Sequence, residues 1–149
     1  MKTAVDTNVF SALLSGDEEA VLTMQAALEQ AAGEGLLVAS PAVYAELVAG
    51  RNPEVVDAFF SDKEINVHWN LDAAVWRTAG TRYGAYARDR RRQRGDTGPR
   101  RILADFLIGA HAFHLANALL TSDTRIYGTY FADLKVISPQ NPSHNPGGN

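Results

Sequence analysis

The chain has 149 residues, 46% hydrophobic and 9% aromatic, which suits one ordinary domain with a real core. It carries a net charge of −3 and no cysteine, which excludes disulfides and thiolate metal sites and fits a cytoplasmic protein. No apolar run approaches the roughly 20 residues that span a bilayer, and Asp6 interrupts any signal-like stretch near the N-terminus, so no membrane association is expected.

Residues 2–6 read as a short strand, β-branched at Val5 and ended by Asp6. Val9, Phe10, Leu13 and Leu14 then recur at helical spacing, with Gly16 as a stop. A second helix is expected over 17–32, its acidic first turn suited to the positive end of a helix dipole. Residues 36–39 form a buried-strand candidate. Ser40-Pro41 then starts a helix that runs to Gly50, with Ser as cap and Pro at the first helical position. A short helix follows over 53–61, and a strand over 64–68. Asp72 can cap a long helix whose apolar face includes Val75, Ala79, Tyr83 and Tyr86. Gly95, Gly98 and Pro99 break the chain as an exposed loop. Residues 102–116 are apolar nearly all round, as a buried helix should be. A strand over 118–121, a short helix from Asp123 and a strand over 134–137 complete the series. We expect one domain over 1–138 and a disordered polar tail over 139–149.

Short apolar strands alternating with helices predict a parallel sheet covered on both faces. Ligands of such sheets bind at the carboxyl ends of the strands. Asp6 ends the first strand and Asp123 lies just past the fourth, so both fall on that edge. Glu46 lies on the helix leaving the second strand, and Asp105 lies near the start of the buried helix. The face of Asp105 continues through Ile108, Gly109, Ala112 and Ala116, small enough for close packing. Singly, each acid has an ordinary explanation. Asp6 can cap the next helix, Glu46 can face solvent, and Asp105 and Asp123 can complement helix N-termini. Four at one edge of one sheet call for a shared counter-charge. Oxygen-only ligation suits Mg²⁺ or Mn²⁺ rather than Zn²⁺.

Four stretches carry a resemblance to a known family. They are Val5-Asp6-Thr7-Asn8-Val9, Ser40-Pro41-Ala42-Val43-Tyr44-Ala45-Glu46-Leu47, Ala104-Asp105-Phe106-Leu107-Ile108-Gly109-Ala110-His111-Ala112 and Leu120-Thr121-Ser122-Asp123. In this order and spacing the chain resembles a PIN domain, and more closely the VapC-type toxin ribonucleases of bacterial toxin–antitoxin pairs. The resemblance spans residue 2 to about 139. It implies a three-layer α/β/α fold with a parallel sheet of four to five strands in the order 3-2-1-4-5. It implies a metal-dependent endoribonuclease in which Asp6, Glu46, Asp105 and Asp123 are the catalytic and metal-holding acids, with Asn8 and Thr121 in support. Metal-activated water would attack the RNA phosphodiester in line, leaving 5′-phosphate and 3′-hydroxyl ends. Such proteins are commonly homodimers silenced by a cognate antitoxin.

Residues 82–101 hold eight arginines and two aspartates, a net of +6 against −9 for the other 129 residues. This segment can draw in a polyanion, and Arg100 and Arg101, nearest Asp105, are the expected RNA phosphate contacts. Tyr83 and Tyr86 are read as core. His111 and His114 point well away from Asp105 on the helix and are read as packing or surface residues. Of Val9, Phe10, Leu13 and Leu14, some must face away from the sheet, either onto neighbouring helices or into a groove for an amphipathic antitoxin helix. Two other classes compete with the nuclease reading. One is a non-catalytic RNA-binding or regulatory PIN-like module, which would not need intact acids. The other is a small-molecule phosphatase or phosphotransferase, which would not need the arginines.

Overall fold

The computed structural model describes residues 1–16, 18–93 and 101–139. The expected glycine-containing loop, Arg100 and the tail after Pro139 lie outside them. Five strands, β1 (Lys2–Val5), β2 (Leu36–Ala39), β3 (Ile65–Val67), β4 (Ala118–Leu120) and β5 (Val136–Ile137), form one sheet in the order β3-β2-β1-β4-β5. All pairings are parallel, with Ala4 opposite Val38 and Leu119 in the register. Successive residues of a strand face opposite sides of the sheet. Ala4 and Val5 are both buried, as are Leu119 and Leu120, so both faces are covered, as a parallel sheet requires.

The helices are α1 (Thr7–Ser15), α2 (Glu18–Glu34), α3 (Pro41–Ala49), α4 (Pro53–Asp62), α5 (Ala73–Arg92), α6 (Leu103–Leu115) and α7 (Thr124–Tyr130). Their starts follow local chemistry. Ser40, Asn52 and Asp72 accept hydrogen bonds from the amides of Ala42, Glu54 and Val75, and proline follows the first two caps. Helix α6 is the central one. It packs on β1 and β4, against α3, and along α5. Its residues Phe106, Ile108, Ala110, His111 and Ala112 are all buried.

The small stripe on α6 packs closely at Gly109, where the neighbour is an aromatic ring. The ring of Phe131 fills the space above it, and a Cβ there would lie 2.5 Å from that ring. Phe131 also packs on Phe106 and Tyr127, tying α7 to α6. Among the described residues no helix is long and apolar enough to cross a membrane.

Candidate active site

The sheet order puts β1 beside β4, and this brings the first acid to the last motif. The Asp6 amide donates to the Leu120 carbonyl at 2.9 Å, so the residues that follow each strand meet across the edge. Asp6 keeps an extended backbone, and its Oδ1 accepts from the Thr7 amide at 2.7 Å, capping α1. The other oxygen, Oδ2, accepts from the Thr121 hydroxyl at 2.7 Å and from Asn8 Nδ2 at 3.3 Å. Thr121 Oγ1 in turn accepts from the Asp123 amide at 3.0 Å, and Asn8 Oδ1 accepts from the Ser122 amide at 3.1 Å. Asn8 and Thr121 thus hold the Asp6 carboxylate and the turn that carries Asp123.

Glu46, half-buried on α3, has its Oε1 at 2.6 Å from the Thr7 hydroxyl, which donates to it. Asp105, in the first turn of α6, accepts from the Ile102 amide through Oδ2 at 3.1 Å. Asp123 occupies the cap position of α7 but makes no side-chain bond to that helix. Its carboxylate is gripped instead by Arg101, with Nη1 on Oδ2 and Nη2 on Oδ1. Beneath the acids lies Tyr127, 1% exposed, whose hydroxyl donates to the Asp105 carbonyl at 3.2 Å.

Burial pushes the Asp6 carboxyl up to about 6. The bonds from Thr121 and Thr7 pull it down, and the nearby charges of Asp105 and Glu46 raise it further. Tyr127 is pushed well above the ordinary phenol range by burial and then by the charges of Asp6, Asp105 and Asp123. One hydroxyl therefore feels three of the four acids, and Asp6 feels the fourth. These are hard oxygen donors, and among the described residues all but Asp123 are met by neutral groups alone, a donor set of the kind that hard divalent ions take. As placed, the side chains do not form a closed coordination shell. Among the described residues, no three His, Cys, Asp or Glu side chains stand close enough to hold one ion. Asp105 is turned to its own helix start and Asp123 to Arg101.

Arg100, one expected RNA contact, lies outside the described residues, and the residues read as packing, surface or core lie apart from these acids. His114 is exposed and shares a hydrogen bond with Thr78. His111 is fully buried, with Nε2 at 2.9 Å from His68 Nδ1. Burial and then His68 hold it down to about 4, so it stays neutral in the fold. Tyr86 is buried, Tyr83 half-buried, and the two rings stack 6.2 Å apart. Two side chains at the site were not anticipated. Thr7 stood inside the first motif with no role, although a hydroxyl one residue past a strand-ending acid faces the same edge. Tyr127 lies in the short helix expected from Asp123, and nothing in its spacing marks its hydroxyl.

The molecule is therefore a doubly wound parallel α/β protein with an acidic carboxyl edge. The chain belongs to the PIN domain family, whose model matches residues 3–132. Its fold is similar to that of VapBC2 from Rickettsia felis, solved bound to a DNA fragment from its promoter. That match has 19% identity and a TM-score of 0.66 over 93% of this chain and 98% of that one. The fold is also similar to VapBC-1 from nontypeable Haemophilus influenzae, at 22% identity and TM-score 0.60 over 93% and 98%. FitAcB from Neisseria gonorrhoeae matches at 24% identity and TM-score 0.53 over 92% and 97%. A sequence comparison with curated proteins gives no match.

Proposed function

We propose that this PIN domain protein is a Mg²⁺- or Mn²⁺-dependent endoribonuclease, the toxin of a toxin–antitoxin pair. The observation that carries this reading is the Asp6 carboxylate. It is buried, oriented by Thr7, Asn8 and Thr121, and raised to about 6 beside Glu46 and Asp105. Such an acid is held at a cost unless a cation joins it. Asp6, Glu46, Asp105 and Asp123 would hold the ion, with Asp105 and Asp123 turning from their present partners to do so. Bound there, a divalent ion supplies charge stabilisation on the phosphodiester and an acidified attacking water. The chain's own contribution is orientation. Thr121 and Asn8 fix Asp6, Thr7 fixes Glu46, and Tyr127 bonds the backbone carbonyl of Asp105. The products would carry 5′-phosphate and 3′-hydroxyl ends.

Family membership and the VapBC-like fold support a toxin with an antitoxin partner. The cleft beside α1, lined by Leu13, Val21, Leu28 and Phe59, suits an amphipathic antitoxin helix. Val9 and Phe10 are used up in the core, and Leu13 and Leu14 are left half-buried. A homodimer remains part of the proposal. One observation favours a second reading, an RNA-binding module without turnover: Asp123 is already neutralised by Arg101. The deciding experiment incubates wild type and Asp6→Asn with structured RNA in Mn²⁺ or EDTA. Cleavage by wild type alone, and only with Mn²⁺, supports the nuclease. Binding without cleavage in either buffer supports the module and removes the nuclease.

A further inference from the structure

Of the four acids at the carboxyl edge, three are met by neutral donors. Asp6 is held by an amide, a hydroxyl and a carboxamide, Glu46 by the Thr7 hydroxyl, and Asp105 by the Ile102 amide. Asp123 alone among these four is met by a positive charge within the described residues, and both of its oxygens are taken. This pairing displaces the ordinary use of an aspartate at that position. A cap residue normally bonds the amides of its own helix, and Asp123 does not. The Arg101 amide donates to the hydroxyl of buried Tyr86 at 2.7 Å, which anchors the backbone there. The side chains of the pair remain 23% and 27% exposed. The pair is therefore mostly buried and two-pronged, so it yields only to a stronger counter-charge on the carboxylate, such as a divalent cation. The guanidinium sits at the end of a long flexible stem, so it can leave Asp123 while the amide keeps its bond to Tyr86.

We propose that Arg101 is a resident counter-ion on Asp123, displaced when a divalent cation takes that carboxylate and thereby released to grip the RNA phosphate. This rests on the metal-dependent ribonuclease reading above. One residue would then couple the two ligands. A guanidinium fits a carboxylate and a phosphate through the same two-pronged geometry, so it can pass from one to the other. The apo protein would keep its acid edge partly neutralised. Filling the edge with metal would prepare the cation that the substrate needs.

The test is calorimetric titration of Mn²⁺ into the full chain without RNA, for wild type, Arg101→Met, Arg101→Lys and Asp123→Asn. Circular dichroism confirms that each variant is folded. Arg101→Met keeps the stem and drops the charge, and should bind Mn²⁺ about three- to tenfold more tightly. Arg101→Lys keeps the charge, loses the fork and should fall between. The wild-type protein's affinity for a cleavage-resistant RNA analogue should rise with Mn²⁺. The rise should vanish in Arg101→Met, with a salt slope smaller by about one. Equal or weaker Mn²⁺ binding by both Arg101 variants overturns the proposal and leaves the nuclease reading intact. Unchanged Mn²⁺ binding by Asp123→Asn does the same, by removing that carboxylate from the metal. No Mn²⁺ uptake by any protein overturns both.

Discussion

The Thr121 hydroxyl donates to Asp6 Oδ2 at 2.7 Å across 115 residues of sequence. Thr121 Oγ1 also accepts from the Asp123 amide and, at 3.4 Å, from Asn8 Nδ2, so one fully buried threonine joins two acidic positions. Thr121→Val keeps the shape and removes these bonds. A loss of about 1–3 kcal/mol in stability is expected from the unpaired buried groups. The Thr121 bond favours charged Asp6, so its removal should also move the acid limb of the cleavage profile above pH 6. Thr121→Ser should restore both. Thermal unfolding and a pH–rate profile measure them, and an unmoved acid limb would detach Thr121 from Asp6.

Asp6 itself gives a pH signature. Its folded value of about 6 lies above the ordinary 3.8. Folding therefore takes up a proton between those values, and the charged form lowers stability above them. His111, held down to about 4, acts in the opposite sense, adding stability as pH rises from there toward 6.5. The two slopes overlap in the wild type, so the informative quantity is Asp6→Asn minus wild type in EDTA. That difference should shift in favour of the variant between pH 4 and 7, by about 1–3 kcal/mol. Mn²⁺ affinity of the wild type should fall below pH 6 as the proton competes. A pH-independent difference in melting temperature would show that Asp6 is not perturbed.

Thr7 holds Glu46 through one short bond. Thr7→Val should leave the fold within about 1 kcal/mol of wild type, because the site is only half-buried. Cleavage should drop about 10–100-fold, as for other groups that orient a metal ligand. Activity equal to wild type would mean that Glu46 needs no orientation.

Gly109 and Phe131 form a matched pair. Gly109→Ala would place a methyl 2.5 Å from the ring, and an overpacked core loses about 1–3 kcal/mol. Adding Phe131→Leu should recover part of the loss, and a double-mutant cycle in denaturant measures the coupling. Additive losses would mean that the helix accommodates the methyl by another route.

Arg82 lies within the basic stretch, yet its guanidinium pairs with Asp133 at 2.7 and 2.8 Å. It also sits 5.0 and 4.7 Å from the Phe113 and Phe131 ring centres. Arg82→Met should cost about 1–2 kcal/mol, reduced by the exposure of Asp133, and leave RNA affinity within twofold of wild type. A marked fall in RNA affinity in filter binding would return Arg82 to the binding surface.

The fold was legible because every level of the sequence agreed. Apolar strands, Ser40-Pro41, Asp72 and the all-round apolar stretch over 102–116 gave the sheet and its helices with small errors at the ends. The second helix runs to Glu34 rather than 32, and the last strand keeps only Val136–Ile137. Strand ends blur because sequence pattern carries no hydrogen-bond register. Asp6, Asn8 and Thr121 meet because adjacent parallel strands must deliver their following residues to one edge. Arg101 on Asp123 was not legible, because a charge pair between separate loops leaves no periodic trace. The same holds for Tyr127, whose hydroxyl matters only once α7 is folded under the acids.

The His68–His111 contact gives the molecule an internal reporter. Two neutral imidazoles at 2.9 Å can share only one hydrogen between the facing nitrogens. Their tautomers are therefore linked, and nitrogen chemical shifts would read the seating of the central helix on the sheet. Ligands added at the carboxylate edge could then be followed through one buried and one half-buried ring that take no part in holding them.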